Sequence, residues 1–140
     1  MINTPFCKGG PIIIIDVKES AQNYLETILI LSRKRPAVRS IDIATELNFK
    51  KSSVSVAMKN LRQNGYIIVD ESGFIKLTPS GLRIAEMIYE RHTVLSKYLE
   101  ILGVNSTIAA QDACKIEHII SEESFNAIKN HLNKHVNDIL

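Results

Sequence analysis

Residues 40–77 hold the feature that most limits the fold: two short helical segments three residues apart, followed at once by two short β-prone runs. Ser40 reads as the N-cap of a helix over 41–47. Asn48, Phe49 and Lys50 make a turn, and a second helix over 52–64 stops at Gly65, a residue type that accepts left-handed backbone. Val54, Met58 and Leu61 recur at i, i+4 and i+7, which predicts a core-facing stripe. The β-branched and aromatic runs 66–69 and 74–77, separated by the turn 70–73, predict a hairpin. Upstream, Leu25, Ile28, Leu29 and Leu31 mark a first helix over about 18–32, ended ahead of Pro36. Helix, short helix, turn, helix and hairpin is the order of a winged helix-turn-helix.

After the hairpin, Thr78 can cap a new helix and Pro79 suits its first turn. Ile84, Ile88, Leu95, Leu99 and Leu102 give that helix an apolar stripe as far as Gly103. A helix of ~24 residues spans ~36 Å, more than a winged helix needs, and suits a linker into a dimerisation domain. Two further helices are predicted over 107–120 and 122–140. The expected fold is mainly α: an extension over 1–16, a winged helix-turn-helix with a two-stranded wing over 17–78, and a helical dimerisation domain over 79–140. Gly9, Gly10 and Pro11 break the extension, and the isoleucines 12–15 read as a short strand or packing arm.

The composition is that of a soluble globular chain, with 45% hydrophobic and 23% charged residues, which excludes disorder as the main state. No apolar run approaches the ~20 residues a membrane span requires. The N-terminus lacks a secretory signal, and Cys7 and Cys114 stand far apart, so a reducing cytoplasm is expected. A net charge of +2 conceals a basic segment: residues 32–63 carry eight Lys/Arg against Asp42 and Glu46. Such a stripe is either a solvated surface or a nucleic-acid footprint. The helix-turn-helix order decides for DNA. Lys51, Lys59, Arg62 and Arg39 are placed to reach phosphates. Ser52, Ser53 and Ser55 are small enough to approach bases or phosphate oxygens, and Ser72 and Gly73 lie at the wing tip.

Cys114, Glu117 and His118 stand at i, i+3 and i+4, a spacing that puts them on one helix face. Thiolate, carboxylate and imidazole all ligate divalent transition metals; the alternative is a half-buried cysteine beside a surface Glu–His pair. No orienting third group or glycine-rich oxyanion element accompanies the Cys–His pair, so no enzyme is expected. Asn23 and Glu26, at i and i+3 of the first helix, and His92 in the long helix are further polar residues whose role the spacing leaves open.

The stretches SAQNYLETILIL (20–31), SIDIATELNFKKSSVSVAMKNLRQNGYI (40–67), IKLTPSGLRIAEMIYERH (75–92) and DACKIEHIISEE (112–123) together resemble the DtxR/MntR family of iron- and manganese-dependent transcriptional repressors. The resemblance implies metal sites between a winged-helix domain and a dimerisation domain. It implies that Asn23 takes the first-helix ligand position, Met in the iron branch and Asp in the manganese branch. Cys114 takes a position that is Cys in the iron branch and Glu in the manganese branch; Glu117 and His118 match both. Glu26 matches a second-ion carboxylate of the manganese branch, and His92 a ligand of second sites in both. Ser96 and Ala110 replace other ancillary ligands of the iron branch, and its C-terminal SH3-like domain is absent from these 140 residues. The thiolate leans toward Fe²⁺, with Mn²⁺ second and Zn²⁺ or Co²⁺ as substitutes in vitro, one ion per subunit. The implied protein is a homodimer that represses metal-uptake genes from a palindromic double-stranded operator. Two other readings remain open: a winged-helix regulator sensing thiol oxidation or a small ligand, and a winged-helix protein-interaction module.

Overall fold

The computed structural model describes residues 17–139, with side chains as far as His135. The N-terminal extension, with its isoleucine run and Cys7, lies outside the described residues, as does Leu140. The elements in chain order are α1 (Glu19–Lys34), α2 (Ser40–Leu47), α3 (Lys51–Gln63), β1 (Ile67–Val69), β2 (Ile75–Leu77), α4 (Pro79–Ile101), α5 (Ser106–Ile116) and α6 (Glu122–Ile139). The chain forms two compact units, Val17–Ile88 and the residues from Tyr89 onward. No described helix is long and apolar enough to cross a membrane.

In the first unit, Leu25, Ile28 and Leu31 of α1, Ile43 of α2, and Val54, Met58 and Leu61 of α3 are buried in one core with Ile67 and Ile75 of the strands. The expected stripes therefore face inward, and the winged helix-turn-helix order is present. The strands pair antiparallel, with Ile67 opposite Leu77 and Val69 opposite Ile75. The wing is also tied to the segment after α1, because the Ile75 N–H donates to the Val38 carbonyl at 2.7 Å.

Local chemistry corrects the element ends. Ser40 is the first helical residue, and Arg39 takes the N-cap position. The Asp42 carboxylate at N3 accepts the Arg39 N–H at 2.9 Å, so the helix start is held from within its first turn rather than by a Ser40 hydroxyl. Tyr66 and Phe74 fall outside the strands. The Tyr66 N–H donates back to the Leu61 carbonyl, closing α3 through Gly65, whose φ is +78°.

The start of α4 is seated on this closure. The Thr78 N–H donates to the Tyr66 carbonyl at 3.0 Å. The Thr78 hydroxyl donates to the Gly65 carbonyl at 2.6 Å and accepts the Gly81 N–H at 3.2 Å. At Gly81 a Cβ would stand 2.0 Å from the Tyr66 carbonyl oxygen, so glycine is required by close approach rather than by dihedral freedom.

In the second unit, Leu95 of α4, Ala113 of α5 and Phe125 of α6 form the core, flanked by Val94, Ile116, Ile120 and Ile128. Asn105 caps α5, accepting the Thr107 N–H at 2.9 Å. The apolar stripe of α4 fades at its end: Leu102 is 64% exposed, since the helix stops at Ile101. The fifth helix is shorter than the predicted 107–120, ending at Ile116 in a turn over 117–119.

Gly81→Ala is expected to cost roughly 2–3 kcal/mol, because the obstacle is backbone and cannot rotate away. Urea unfolding would measure it against Glu86→Ala, an exposed change on the same helix expected to stay within ~0.5 kcal/mol.

Candidate metal centre and nucleic-acid interface

On α3 the core stripe leaves an outer face of Lys51, Ser52, Ser53, Ser55, Lys59 and Arg62, all exposed. Sequence spacing missed one neighbour, Val56. It lies off the 54/58/61 stripe and is 61% exposed, a bulky apolar residue among serines and bases. Arg39 is exposed too, and its guanidinium is stacked 4.6 Å from the Phe74 ring centroid. That contact orients a cation beside the wing. The wing tip is shaped by Asp70, whose Oδ1 accepts the N–H groups of Ser72 and Phe74, each at 2.9 Å. Gly73 takes a φ of +82° there. The tip therefore offers Ser72 and Gly73 beside an acidic residue.

The second unit gathers His92 of α4 with Cys114 and Glu117. One ligand atom from each lies within 4.8 Å of the others. His92 Nδ1 stands 2.9 Å from Glu117 Oε2 and 3.6 Å from Cys114 Sγ. His118 joins from the other side, its Nε2 3.3 Å from Glu117 Oε1. Glu117 is fully buried, the His118 side chain is 1% exposed, that of His92 28%, and Cys114 is exposed. Glu117 is the C-cap residue of α5, still with helical dihedrals and its N–H on the Ala113 carbonyl, so it stays beside Cys114; His118 lies in the turn that follows.

Burial works to raise the Glu117 pKa, but the His118 and His92 imidazoles outweigh it and hold the carboxyl below its usual value. The cluster is therefore an anionic oxygen, a sulfur and the His92 nitrogen converging on one small volume, with the His118 imidazole on the other carboxylate oxygen. Glu117 Oε1 is buried yet lacks a well-aligned hydrogen bond among the described residues. Such a donor set fits a divalent transition ion. Asn23 and Glu26 lie one turn apart on α1, in the first unit, each half-buried.

Arg91, which sequence reasoning passed over, holds the ligand-bearing turn. The last carbonyls of a helix lack intrahelical donors. Buried Arg91 donates from Nη1 to the carbonyls of Glu117 at 3.2 Å and Ile120 at 2.9 Å. Its guanidinium lies 5.5 Å from the Phe125 ring centroid. Burial lowers the Arg91 pKa, and Glu122, Glu117 and Glu90 oppose that shift electrostatically.

Comparison with known proteins agrees with both halves of this geometry. Residues 16–73 match the N-terminal DNA binding domain of iron dependent repressors, and residues 78–138 match their metal binding and dimerisation domain. The chain belongs to the DtxR/MntR family of metal-dependent transcriptional repressors. The HTH-type transcriptional regulator MntR of Listeria welshimeri is 34% identical over 111 residues, 79% of this chain and 78% of that protein. An uncharacterised HTH-type transcriptional regulator of Methanocaldococcus jannaschii is 31% identical over 115 residues, 81% of this chain and 92% of that one. Among solved structures, a manganese-dependent transcriptional repressor in complex with manganese superposes with a TM-score of 0.73 at 26% identity, over 81% of this chain and 52% of that one. The T. acidophilum IdeR gives 0.71 at 27% identity, over 86% and 56%. The chain thus spans about half the length of these two structures. As a member of this family it is a DNA-binding, divalent-metal-dependent regulator.

Arg91→Met is expected to lower stability by ~2–4 kcal/mol, since one buried and one partly buried carbonyl lose their donor, at roughly 1–3 kcal/mol for a fully buried group. Amide hydrogen exchange at residues 117–120 should accelerate with it. Exchange unchanged from the parent chain would remove Arg91 from this role.

Proposed function

We propose that this chain is a metal-activated repressor that binds a palindromic operator as a homodimer. The convergence of His92, Cys114 and Glu117 in the region matching a metal-binding domain carries the reading. In it, Cys114, Glu117, His118 and His92 hold one divalent ion, and Asn23 and Glu26 of α1 complete the set that the family pattern names. Residues 17–78 read DNA and residues 79–140 dimerise. The chain catalyses nothing in this reading. Its relatives are bacterial and archaeal, so it acts in the cytoplasm with the chromosome.

On the DNA side, Lys51, Lys59, Arg62 and Arg39 neutralise phosphates, while Ser52, Ser53 and Ser55 approach base edges or the backbone. Ser72 and Gly73 bring the wing to a neighbouring phosphate. Val56 suits the methyl group of a thymine, the apolar mark of the major groove. On the metal side, the bound ion supplies a positive centre that holds carboxylate, thiolate and imidazole together. Glu117 is kept ionised and aimed by the two imidazoles, and Arg91 fixes its turn. Operator affinity rises only by the difference in metal affinity between the DNA-competent conformation and the rest.

The name MntR and the manganese-bound neighbour point to Mn²⁺, whereas the Cys114 thiolate favours Fe²⁺. We place Fe²⁺ first and Mn²⁺ second, with Zn²⁺ or Co²⁺ replacing either in vitro. The exposure of Cys114 beside an imidazole supports one rival, a regulator responding to thiol oxidation.

Anaerobic capture of genomic fragments with Fe²⁺, with Mn²⁺ and with a chelator, at fixed salt, tests the reading. Metal-dependent enrichment of a few promoters is expected. Equal capture in the chelator arm would transfer the assignment to the thiol rival. Cys114→Ala or His118→Ala is expected to abolish the metal stimulation. Lys59→Ala should weaken operator binding and reduce the slope of log K against log salt by about 1; an unaltered slope would take Lys59 out of the phosphate contacts.

A further inference from the structure

One pair of ligand-type side chains in the second unit is used by nothing above. His131 and His135 stand one turn apart on α6, both exposed, with ring centroids 4.0 Å apart and planes inclined by 35°. We propose that His131 and His135 form a surface site for a late divalent transition ion.

Two histidines at i and i+4 share a helix face, the spacing by which a single helix presents two imidazoles to one zinc ion. Two nitrogens bound at ~2.1 Å to a common ion are separated by about 3 Å, which puts their ring centres about 5 Å apart. From 4.0 Å, a small rotation of exposed side chains reaches that arrangement. The pair is carried on a fixed support. The Tyr98 ring of α4 meets His131 edge-on at a 5.8 Å centroid distance. Two residues before His131, Lys129 is paired with Glu90 of α4 at 3.0 Å. Earlier in α6, Phe125 lies in the core beneath the Arg91 guanidinium. Ligands on a helix held in this way lose little freedom on binding.

The donor set decides the ligand class. Two neutral nitrogens, without thiolate or carboxylate between them, follow the ordinary affinity order in which Ni²⁺, Cu²⁺ and Zn²⁺ exceed Mn²⁺ and Fe²⁺. Water fills the remaining positions. The site is therefore separate in residues and in preference from the cluster at Glu117, and it stands independently of the function proposed above.

The chelator-stripped full chain would be titrated with Zn²⁺ by calorimetry, with the imidazole nitrogens followed by NMR. One Zn²⁺ equivalent should perturb His131 and His135 together. His131→Ala and His135→Ala should each weaken that equivalent by tenfold or more, and His131→Asn should do the same with an unchanged circular dichroism spectrum. A Cys114→Ser/Glu117→Gln double variant should keep this Zn²⁺ equivalent, so failure of the buried cluster reads out separately. In that variant, Mn²⁺ at equal concentration should give no calorimetric equivalent that His131→Ala removes. Zn²⁺ stoichiometry and affinity unchanged in both alanine variants would overturn the site. A Mn²⁺ equivalent of equal affinity in the double variant, lost with His131→Ala, would overturn its ligand class.

Discussion

A carboxylate with no access to water must find protic or cationic partners inside the protein, and Glu117 answers that demand with His92 on one oxygen and His118 on the other. Burial alone would protonate it. The two imidazoles keep it an anion, and the arrangement in turn fixes where the imidazoles lie. Removing a single partner would leave a buried charge half-compensated, which proteins tolerate poorly. The same demand explains why a divalent ion suits the place. Such an ion would be held by the Glu117 carboxylate, the imidazole of His92 and the Cys114 sulfur, and would supply the positive charge the buried carboxylate needs.

That cluster sits at the end of a helix. Glu117 keeps the helical screw of α5 as its C-cap residue, and the chain then turns over 117–119. Carbonyls left open by that end, those of Glu117 and Ile120, are met by Arg91. Arg91 and His92 are adjacent on α4, so consecutive side chains serve the backbone and the carboxylate of the same residue. The first unit shows the same economy at Thr78–Gly81, where one hydroxyl and one missing Cβ dock a helix onto the backbone that closes α3.

The order of elements was legible because it is carried by periodicity. Val54, Met58 and Leu61 could face only one way, and Gly65 could end α3 where few other residues would. The ligand types Cys114, Glu117 and His118 were visible as a spacing, and His92 entered through the family pattern. What spacing could not show was the helix end between residues 116 and 117, because nothing in KIEHII interrupts a helix. The missing signal was a buried arginine 26 positions earlier, a long-range partner that local pattern does not contain. Ser40 misled for a related reason: the helix begins one residue earlier, with Arg39 at the N-cap and its N–H held by Asp42 from three residues on. Val56 was overlooked because attention to polar types hides an apolar residue on a solvent face.

The uneven exposure of the cluster has a practical meaning. Glu117 and His118 are sealed from solvent, whereas Cys114 stands at the surface. Reagents in solution therefore meet the cluster first at the Cys114 sulfur, with only an edge of the His92 ring beside it. A small thiol-selective alkylating agent reports on this one side chain, and under the proposed assignment its rate of reaction becomes a clock for how tightly that sulfur is engaged. If Cys114 holds the ion as proposed, the protein carries at the rim of that cluster a gauge of occupancy that needs no DNA and no spectroscopic label.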